Sequence, residues 1–150
     1  MNEINVEQFE YKTAQAPNIL YSGGLGPCIA MGAIYGKKGY MFHTPSLDHT
    51  PELLDSMIAD LNREVADKRE LSVYIAGGEI NPEDEETFVD IRNCRKTLIE
   101  RLEKEGLTKN IRKLRWNPTN HIQNLKLLLS KGKGIIEEFN HSDGDSYTEY

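Results

Sequence analysis

Two glycine-rich breaks divide the first third of the chain into short runs that favour β-strands. The first, Gly23-Gly24-Leu25-Gly26, interrupts an otherwise apolar stretch at a point where the backbone must turn or approach another group closely. The second, Gly36-Lys37-Lys38-Gly39, is typical of a tight connection between two strands. Such a connection returns the chain beside the strand it has left. We therefore predict that His43, at the end of the second strand, lies next to Cys28.

A thiol and an imidazole on neighbouring strands can act as nucleophile and base. A cysteine attacks as its thiolate, and an adjacent histidine both lowers the pKa of the thiol and carries the proton. Cys28 and His43 are therefore candidate catalytic residues. A structural interpretation stays open for each, because a buried cysteine is commonly a small core side chain and a strand histidine commonly bonds the backbone.

Helix signals follow in two places. Thr50-Pro51-Glu52 combines a cap residue, a first-turn proline and an acidic residue, and the apolar positions of residues 53–65 recur at helical spacing. Asn81-Pro82 and the four acidic residues after it predict the start of a second helix, which Gly106 ends. The apolar positions of this helix share one face, which assigns Cys94 a structural role in the core. They are Phe88, Ile91, Cys94, Leu98 and Leu102.

Four further runs predict strands, at residues 71–75, 111–116, 124–129 and 134–139. Ser130-Lys-Gly-Lys is a hairpin turn between the last two, so the sheet is at least partly antiparallel. The predicted fold is a single α/β (α+β) domain over residues 1–150, with mixed, partly antiparallel β-sheets flanked by two main helices. Residues 141–150 are polar and acidic without apolar periodicity, and we expect a flexible tail there.

The net charge of the chain argues against some classes of binding partner. The 150 residues include 18 basic and 24 acidic side chains, a net charge of −6, which argues against a general affinity for nucleic acid or anionic membranes. The basic residues near Trp116 are more typical of a solvated sheet face than of a nucleic-acid site. We expect the partner to be a protein or a small molecule.

The remaining patterns concern location and cofactors. The first 20 residues lack the basic start and apolar run of a signal peptide, and no later stretch has membrane-spanning length, so we expect a soluble, cytoplasmic protein without membrane insertion.

The two cysteines form no C-x-x-C pair, and the histidines and cysteines show no metal-ligand spacing. The glycine-rich segments match no nucleotide-binding motif. We therefore expect no metal and no cofactor.

Three short motifs occur in the order and spacing of a known family. They are Tyr21-Ser-Gly-Gly-Leu-Gly-Pro-Cys28, Phe42-His43-Thr-Pro45 and Tyr74-Ile-Ala-Gly-Gly78. Together they resemble the CheD family of bacterial chemoreceptor glutamine deamidases, over residues 18–139. The resemblance implies a mixed fold in which helices cover β-sheets, similar to deamidating toxins such as cytotoxic necrotising factor. It also implies that Cys28 is the nucleophile, His43 the base and Ser22 the hydroxyl that orients the imidazole.

The implied function is that of a cysteine-dependent amidohydrolase, a protein-glutamine deamidase that works through a thioester and acts in chemotaxis. Backbone N–H groups of Gly26 and Cys28 would stabilise the oxyanion, whereas Pro27 has no N–H to offer. The same chemistry could cleave a glutamyl methyl ester. The alternative is a catalytically silent CheD-like protein-binding module, because Pro27 and residues 117–123 depart from the family pattern.

Overall fold

Ten strands and two α-helices make up the part of the chain that the structure describes. This computed structural model describes residues 2–141 and 146–150, apart from the side chains of residues 86–88. The strands are β1 (Glu3–Asn5), β2 (Glu10–Gln15), β3 (Ile19–Leu25), β4 (Ile29–Tyr35), β5 (Lys38–Thr44), β6 (Ser72–Gly77), β7 (Ile111–Trp116), β8 (His121–Leu128), β9 (Lys133–Asn140) and β10 (Tyr147–Glu149). The helices are α1 (Pro51–Glu64) and α2 (Glu85–Lys104), and short 3-10 helices occur at Lys68–Glu70 and Thr108–Asn110.

The strands form two five-stranded sheets. The inner sheet has the order β2-β5-β4-β6-β7, and the outer sheet has the order β1-β3-β8-β9-β10. The pairs β1–β3 and β6–β7 are parallel, and the other pairs are antiparallel. The prediction of mixed, partly antiparallel sheets with two main helices is confirmed.

The inner sheet is covered on both faces. Ile29 and Phe42 pack with residues of α1 and α2, such as Leu98, in what we call the helix-facing core. The alternate positions, such as Ala30 and Met41, pack against the outer sheet in what we call the between-sheet layer. Because side chains alternate along a strand, β4 and β5 are buried on both faces, which explains their nearly continuous apolar sequences.

Helix α1 begins at Pro51, as predicted. Thr50 precedes it in the cap position, but its hydroxyl donates to the carbonyl of Ser46 (2.8 Å) rather than accepting from the first turn of the helix. The apolar stripe predicted for this helix is buried in the helix-facing core.

Helix α2 begins at Glu85, a little later than predicted, and is followed by Gly106 in the left-handed conformation (φ +72°). The start is delayed because the side chain of Asn81 accepts from the N–H of Glu83 (3.0 Å) and so favours a turn over the helix. The face predicted to be apolar is buried at Ile91, Cys94, Leu98 and Leu102, and the side chain of Phe88 lies outside the described residues.

Both ends of the chain contain strands that the sequence patterns did not predict. β1 pairs with β3, and β2 pairs with β5 at the edge of the inner sheet. The expectation of a flexible tail is wrong for residues 146–150. β10 pairs with β9, and the Tyr150 N–H donates to the carbonyl of Ile136 (2.7 Å). The Arg115 guanidinium also lies over the Tyr150 ring, 4.6 Å from its centroid. Residues 142–145 of that tail lie outside the described residues.

Candidate active site

Cys28 and His43 lie on one face of the inner sheet. β4 and β5 pair so that Ala30 is opposite His43, and Cys28 directly precedes β4, two positions before Ala30. Residues two apart on a strand share a face, and Cys28 belongs with Ala30 to the between-sheet layer. Both candidate side chains are almost fully buried, at 5% exposure for Cys28 and 4% for His43. The register of β4 and β5 therefore places the two candidate side chains on the same face of the inner sheet.

The imidazole of His43 is held through one nitrogen and free at the other. Its Nδ1 lies 3.2 Å from the carbonyl oxygen of Val6, which can only accept a hydrogen bond. Nδ1 therefore carries the proton in the neutral ring, and Nε2 presents a lone pair. Among the described residues, nothing hydrogen-bonds this buried Nε2. An unpaired buried nitrogen of this kind is costly to the fold and available to a reacting proton.

Burial keeps the His43 ring neutral. It lowers the pKa of His43 below the ordinary value of 6.5, against the opposing effects of the Val6 carbonyl and the charge of Glu7. Near neutral pH the ring is therefore in its basic form. A general base must be unprotonated at its operating pH, and His43 meets that condition.

The thiol of Cys28 is neutral at rest and contacts a carboxamide. Burial raises the pKa of Cys28, and the hydrogen bond that Gln8 Nε2 donates to Sγ (3.1 Å) acts in the opposite direction. The hydrogen bonds of the described residues include none between Sγ and the His43 ring. The expectation that the histidine lowers the thiol pKa is therefore not met at rest. The pair is a neutral thiol and a neutral imidazole, so proton transfer must accompany attack.

Ser22 reaches His43 through a shared carbonyl rather than directly. Its Oγ lies 2.9 Å from the Val6 carbonyl oxygen and 3.2 Å from Met41 Sδ. A hydroxyl has one proton, and the carbonyl is the stronger acceptor, so we assign the hydrogen bond to Val6. The Val6 oxygen thus accepts from both Ser22 and His43. Ser22 is fully buried and positions the carbonyl that positions the ring, instead of holding the ring itself as expected.

Gly77 and Gly78 support residues 25–28, which we call the candidate nucleophile segment. The Gly78 N–H donates to the Cys28 carbonyl (2.9 Å), and the Glu79 N–H donates to the Gly26 carbonyl (2.9 Å). Gly77 has φ +91°, and a Cβ there would lie 2.0 Å from the Cys28 carbonyl oxygen. Only glycine fits such an approach.

The two candidate oxyanion donors flank Pro27. Within the described residues, the N–H groups of Gly26 and Cys28 donate to no backbone group outside the strands, whereas the carbonyls of both residues accept hydrogen bonds. The carbonyl contacts fix the backbone of the segment on either side of Pro27.

Residues 117–123, which depart from the CheD pattern, contact the candidate nucleophile segment and the Gly77 backbone that supports it. Asn117 Nδ2 donates to the carbonyl of Leu25 (3.1 Å), and its backbone N–H donates to the carbonyl of Gly77 (2.7 Å). Gln123 Oε1 accepts from the Gly77 N–H (2.7 Å), and its Nε2 donates to buried Glu138 (2.8 Å). These buried amides have a supporting role that the sequence alone did not reveal.

The N-terminal segment supplies the contacts that sequence reasoning missed. Val6 and Gln8 lie between β1 and β2, and one contributes the carbonyl on His43 and the other the carboxamide on Cys28. Tyr11 and Thr13, residue types that favour strands, are a weak signal that could have revealed β2 but not its pairing with β5. An open cleft of about 270 Å³, lined by Val6, Glu7 and Gly23 among others, adjoins this segment.

The described residues contain no group of three or more histidine, cysteine or acidic side chains placed to hold a metal ion. None of the helices described combines the length and apolar character needed to cross a membrane.

No model of a known protein family matches the chain, and no curated protein matches it either. The resemblance to CheD thus depends on the three motifs quoted above.

Proposed function

We propose that this protein is a cysteine-dependent amidohydrolase that deamidates glutamine side chains of cytoplasmic proteins. The observation that carries the proposal is the buried Nε2 of His43, which has no partner among the described residues and lies on the same sheet face as Cys28. A polar atom in that state costs folding free energy, of order 1–3 kcal/mol. Such a cost is readily explained by a reaction that uses the atom.

The reaction proceeds through a thioester. His43 Nε2 takes the Cys28 proton as Sγ bonds to the carboxamide carbon of the substrate, and the N–H groups of Gly26 and Cys28 receive the oxyanion. The carbon–nitrogen bond then breaks, and ammonia leaves with the proton from His43. Water, deprotonated by His43, hydrolyses the thioester to glutamate and restores the thiol. A glutamyl methyl ester would follow the same course with methanol as the leaving group.

The test is ammonia release from glutamine-containing proteins. We expect release from the cytoplasmic fragment of a bacterial chemoreceptor, the substrate class implied by the resemblance, and weaker release from casein as an unrelated protein. Cys28→Ala should lower the rate by about a thousandfold or more. Cys94→Ala is the matched control, because Cys94 is buried in the helix-facing core and should leave the rate unchanged. Equal rates for the wild type and Cys28→Ala would refute the proposal.

A catalytically silent protein-binding module is the second candidate. The raised pKa of Cys28 and its 5% exposure favour this function, since both slow a nucleophile. Iodoacetamide labelling distinguishes the two candidates. A Cys28 that His43 assists should label much faster than Cys94, and His43→Ala should remove the difference. Equal, slow labelling of both thiols, with no ammonia release, would favour the module.

A further inference from the structure

The contact between the Gln8 carboxamide and Cys28 has no role in the reaction proposed above. Gln8 Nε2 lies 3.1 Å from Cys28 Sγ, so the carboxamide carbon is one bond away from the atom in contact with sulfur. The last torsion of a glutamine side chain is broad and nearly two-fold, so the amide can turn at little cost and bring either face of its carbon toward sulfur. Gln8 itself is exposed, which gives water a path to the carboxamide.

Backbone hydrogen bonds hold residues 7–10, which include Gln8, against the candidate site. The Phe9 N–H donates to the carbonyl of His43 (2.8 Å), which ties the residue next to Gln8 to the base itself. The Glu7 N–H donates to the Glu10 carboxylate (2.8 Å), and the Glu10 N–H donates to the Glu7 carbonyl (3.1 Å). Together these contacts define a turn with Gln8 at its tip.

Phe9, in this turn, has a backbone conformation that bulky residues disfavour. It has φ +68°, a left-handed conformation that a bulky residue rarely adopts, and its side chain is 58% exposed. Burial of the ring therefore does not explain the conformation. Strained backbone of this kind persists where the surroundings hold it and is concentrated at functional sites.

We propose that Gln8 is an intramolecular substrate, which Cys28 and His43 deamidate once to leave a glutamate at position 8. The inference rests on the proposed function and extends it by naming a first substrate within the chain. A carboxamide already held on the nucleophile avoids the entropy of association, so a single turnover needs no binding site for a partner.

The reaction balances with water as the co-reactant. The Cys28 proton passes to His43 Nε2, a bond forms between Sγ and Cδ of Gln8, and the Cδ–Nε2 bond breaks as ammonia departs with that proton. The product is a thioester between the Cys28 sulfur and the residue 8 side chain. Water, losing a proton to His43, attacks Cδ; the thioester bond breaks, and the proton returns to the thiol.

The product no longer fits the contact that Gln8 makes. A carboxylate has no N–H to donate to Sγ, and its negative charge disfavours the thiolate beside it. Deamidation of Gln8 therefore removes the hydrogen bond that its amide donates to Sγ, and any second turnover requires a glutamine of another protein.

Mass spectrometry of the purified full chain tests this inference. Trypsin cleavage after Lys12 yields a peptide in which Gln8 is the only glutamine, and Asn2 and Asn5 in the same peptide report spontaneous deamidation. Gln15, on the next tryptic peptide and exposed on β2, is the matched control glutamine. Fragmentation spectra then locate each converted amide, with Gln8→Glu as the standard for the product.

We expect complete conversion at position 8 in the wild type and in Cys94→Ala, and retention of the amide in Cys28→Ala, Cys28→Ser and His43→Ala. Cys28→Ser nearly preserves the shape of the buried side chain, so it remains informative if Cys28→Ala folds poorly. An intact amide at position 8 in the wild type, or conversion in the Cys28 variants, would overturn the inference.

The outcome is separable from that of the proposed function. Ammonia release from chemoreceptor or casein with an intact Gln8 refutes the intramolecular substrate alone. Conversion at position 8 without release from either protein supports the inference and confines the tested activity to the chain itself. An intact Gln8 without any release refutes both.

Discussion

The helix-facing core and the between-sheet layer cover opposite faces of one sheet but bury different chemistry. The first combines apolar side chains of α1, α2 and the inner sheet, with Cys94 as a small member of that packing. Buried polar side chains enter the second from both sheets, including Ser22, His43, Gln123 and Glu138. A buried polar group costs free energy unless it is paired, and His43 is only half paired. The candidate site therefore lies in the layer that contains His43, whose buried Nε2 has no partner among the described residues.

The two cysteines express the same contrast. Cys94 is explained by its apolar neighbours, and its weak hydrogen bond to Ser46 is long, at 3.9 Å. Cys28 instead has a carboxamide on its sulfur and lies next to a backbone segment fixed by two glycines. Burial alone therefore does not distinguish a structural cysteine from a candidate nucleophile, whereas the contacts of the thiol do.

The largest loss of stability is expected where a new side chain would displace the backbone next to Cys28. We expect Gly77→Ala to lower the free energy of unfolding by about 4 kcal/mol, because the new Cβ would overlap the Cys28 carbonyl and the residue would keep a left-handed φ. Gly36→Ala is the matched control, since Gly36 also has positive φ (+61°) but open space around its Cβ, and it should cost about 1 kcal/mol. Urea unfolding followed by Trp116 fluorescence measures both. Similar losses would show that the contact with Cys28 adds nothing.

The next largest effect is expected at Glu138, a buried carboxylate that Gln123 links to the Gly77 backbone. Glu138 accepts from Arg115 (3.0 Å) and Gln123 (2.8 Å), and we expect Glu138→Gln to cost about 2 kcal/mol at neutral pH. Glu137→Gln, on the opposite face of the same strand, should cost less than about 1 kcal/mol.

The pH dependence of this loss follows from the Glu138 pKa. Burial raises that pKa, but the hydrogen bonds from Arg115 and Gln123 outweigh burial and hold it below the ordinary 4.5. A lowered pKa stabilises the fold above 4.5, and this contribution is lost as the pH falls through the folded value. The difference between the wild type and Glu138→Gln should therefore shrink in acid. A constant difference across that range would argue against the ion pair as its source.

Periodicity predicted the regions where packing decides the structure. The face of α2 that contains Cys94 follows from helical spacing, and the hairpin that places Cys28 and His43 on one sheet face follows from the Gly36–Gly39 connection and the strands around it. In both cases a local pattern and the tertiary fold agree, which is the condition under which a single sequence is informative.

Contacts made by polar edge segments could not be predicted in this way. β2 is an edge strand whose residues are mostly part-exposed, and β10 is exposed along its length, so neither has a strong apolar pattern. Val6 and Gln8 reach the site because β1 pairs with β3 and β2 pairs with β5, long-range contacts that no local signal specifies. The roles of Asn117 and Gln123 depend in the same way on the approach of β8 to the Gly77 turn.

Ser22 allows a finer test of how the between-sheet layer positions its base. Ser22→Ala removes one of the two hydrogen bonds to the Val6 carbonyl, and we expect kcat for ammonia release to fall about tenfold with little change in KM. Ser22→Thr keeps the hydroxyl and should restore most of the rate. Recovery would assign the effect to positioning. If Ser22→Thr were as slow as Ser22→Ala, packing against Met41 would account for it instead.

The smallest expected effect is a dependence of stability on pH that arises in one layer only. Because the folded pKa of His43 lies below 6.5, the unfolded chain binds more protons than the folded chain in mild acid, so stability falls as the pH drops below 6.5. The slope from one such group cannot exceed about 1.4 kcal/mol per pH unit. Urea midpoints between about pH 7 and pH 5 should therefore decline less for His43→Gln than for the wild type, whereas His49→Gln, in an exposed loop, should follow the wild type. Parallel declines for all three proteins would mean that His43 is not held neutral by burial, and the between-sheet layer would then lose the feature that makes this imidazole a base at neutral pH.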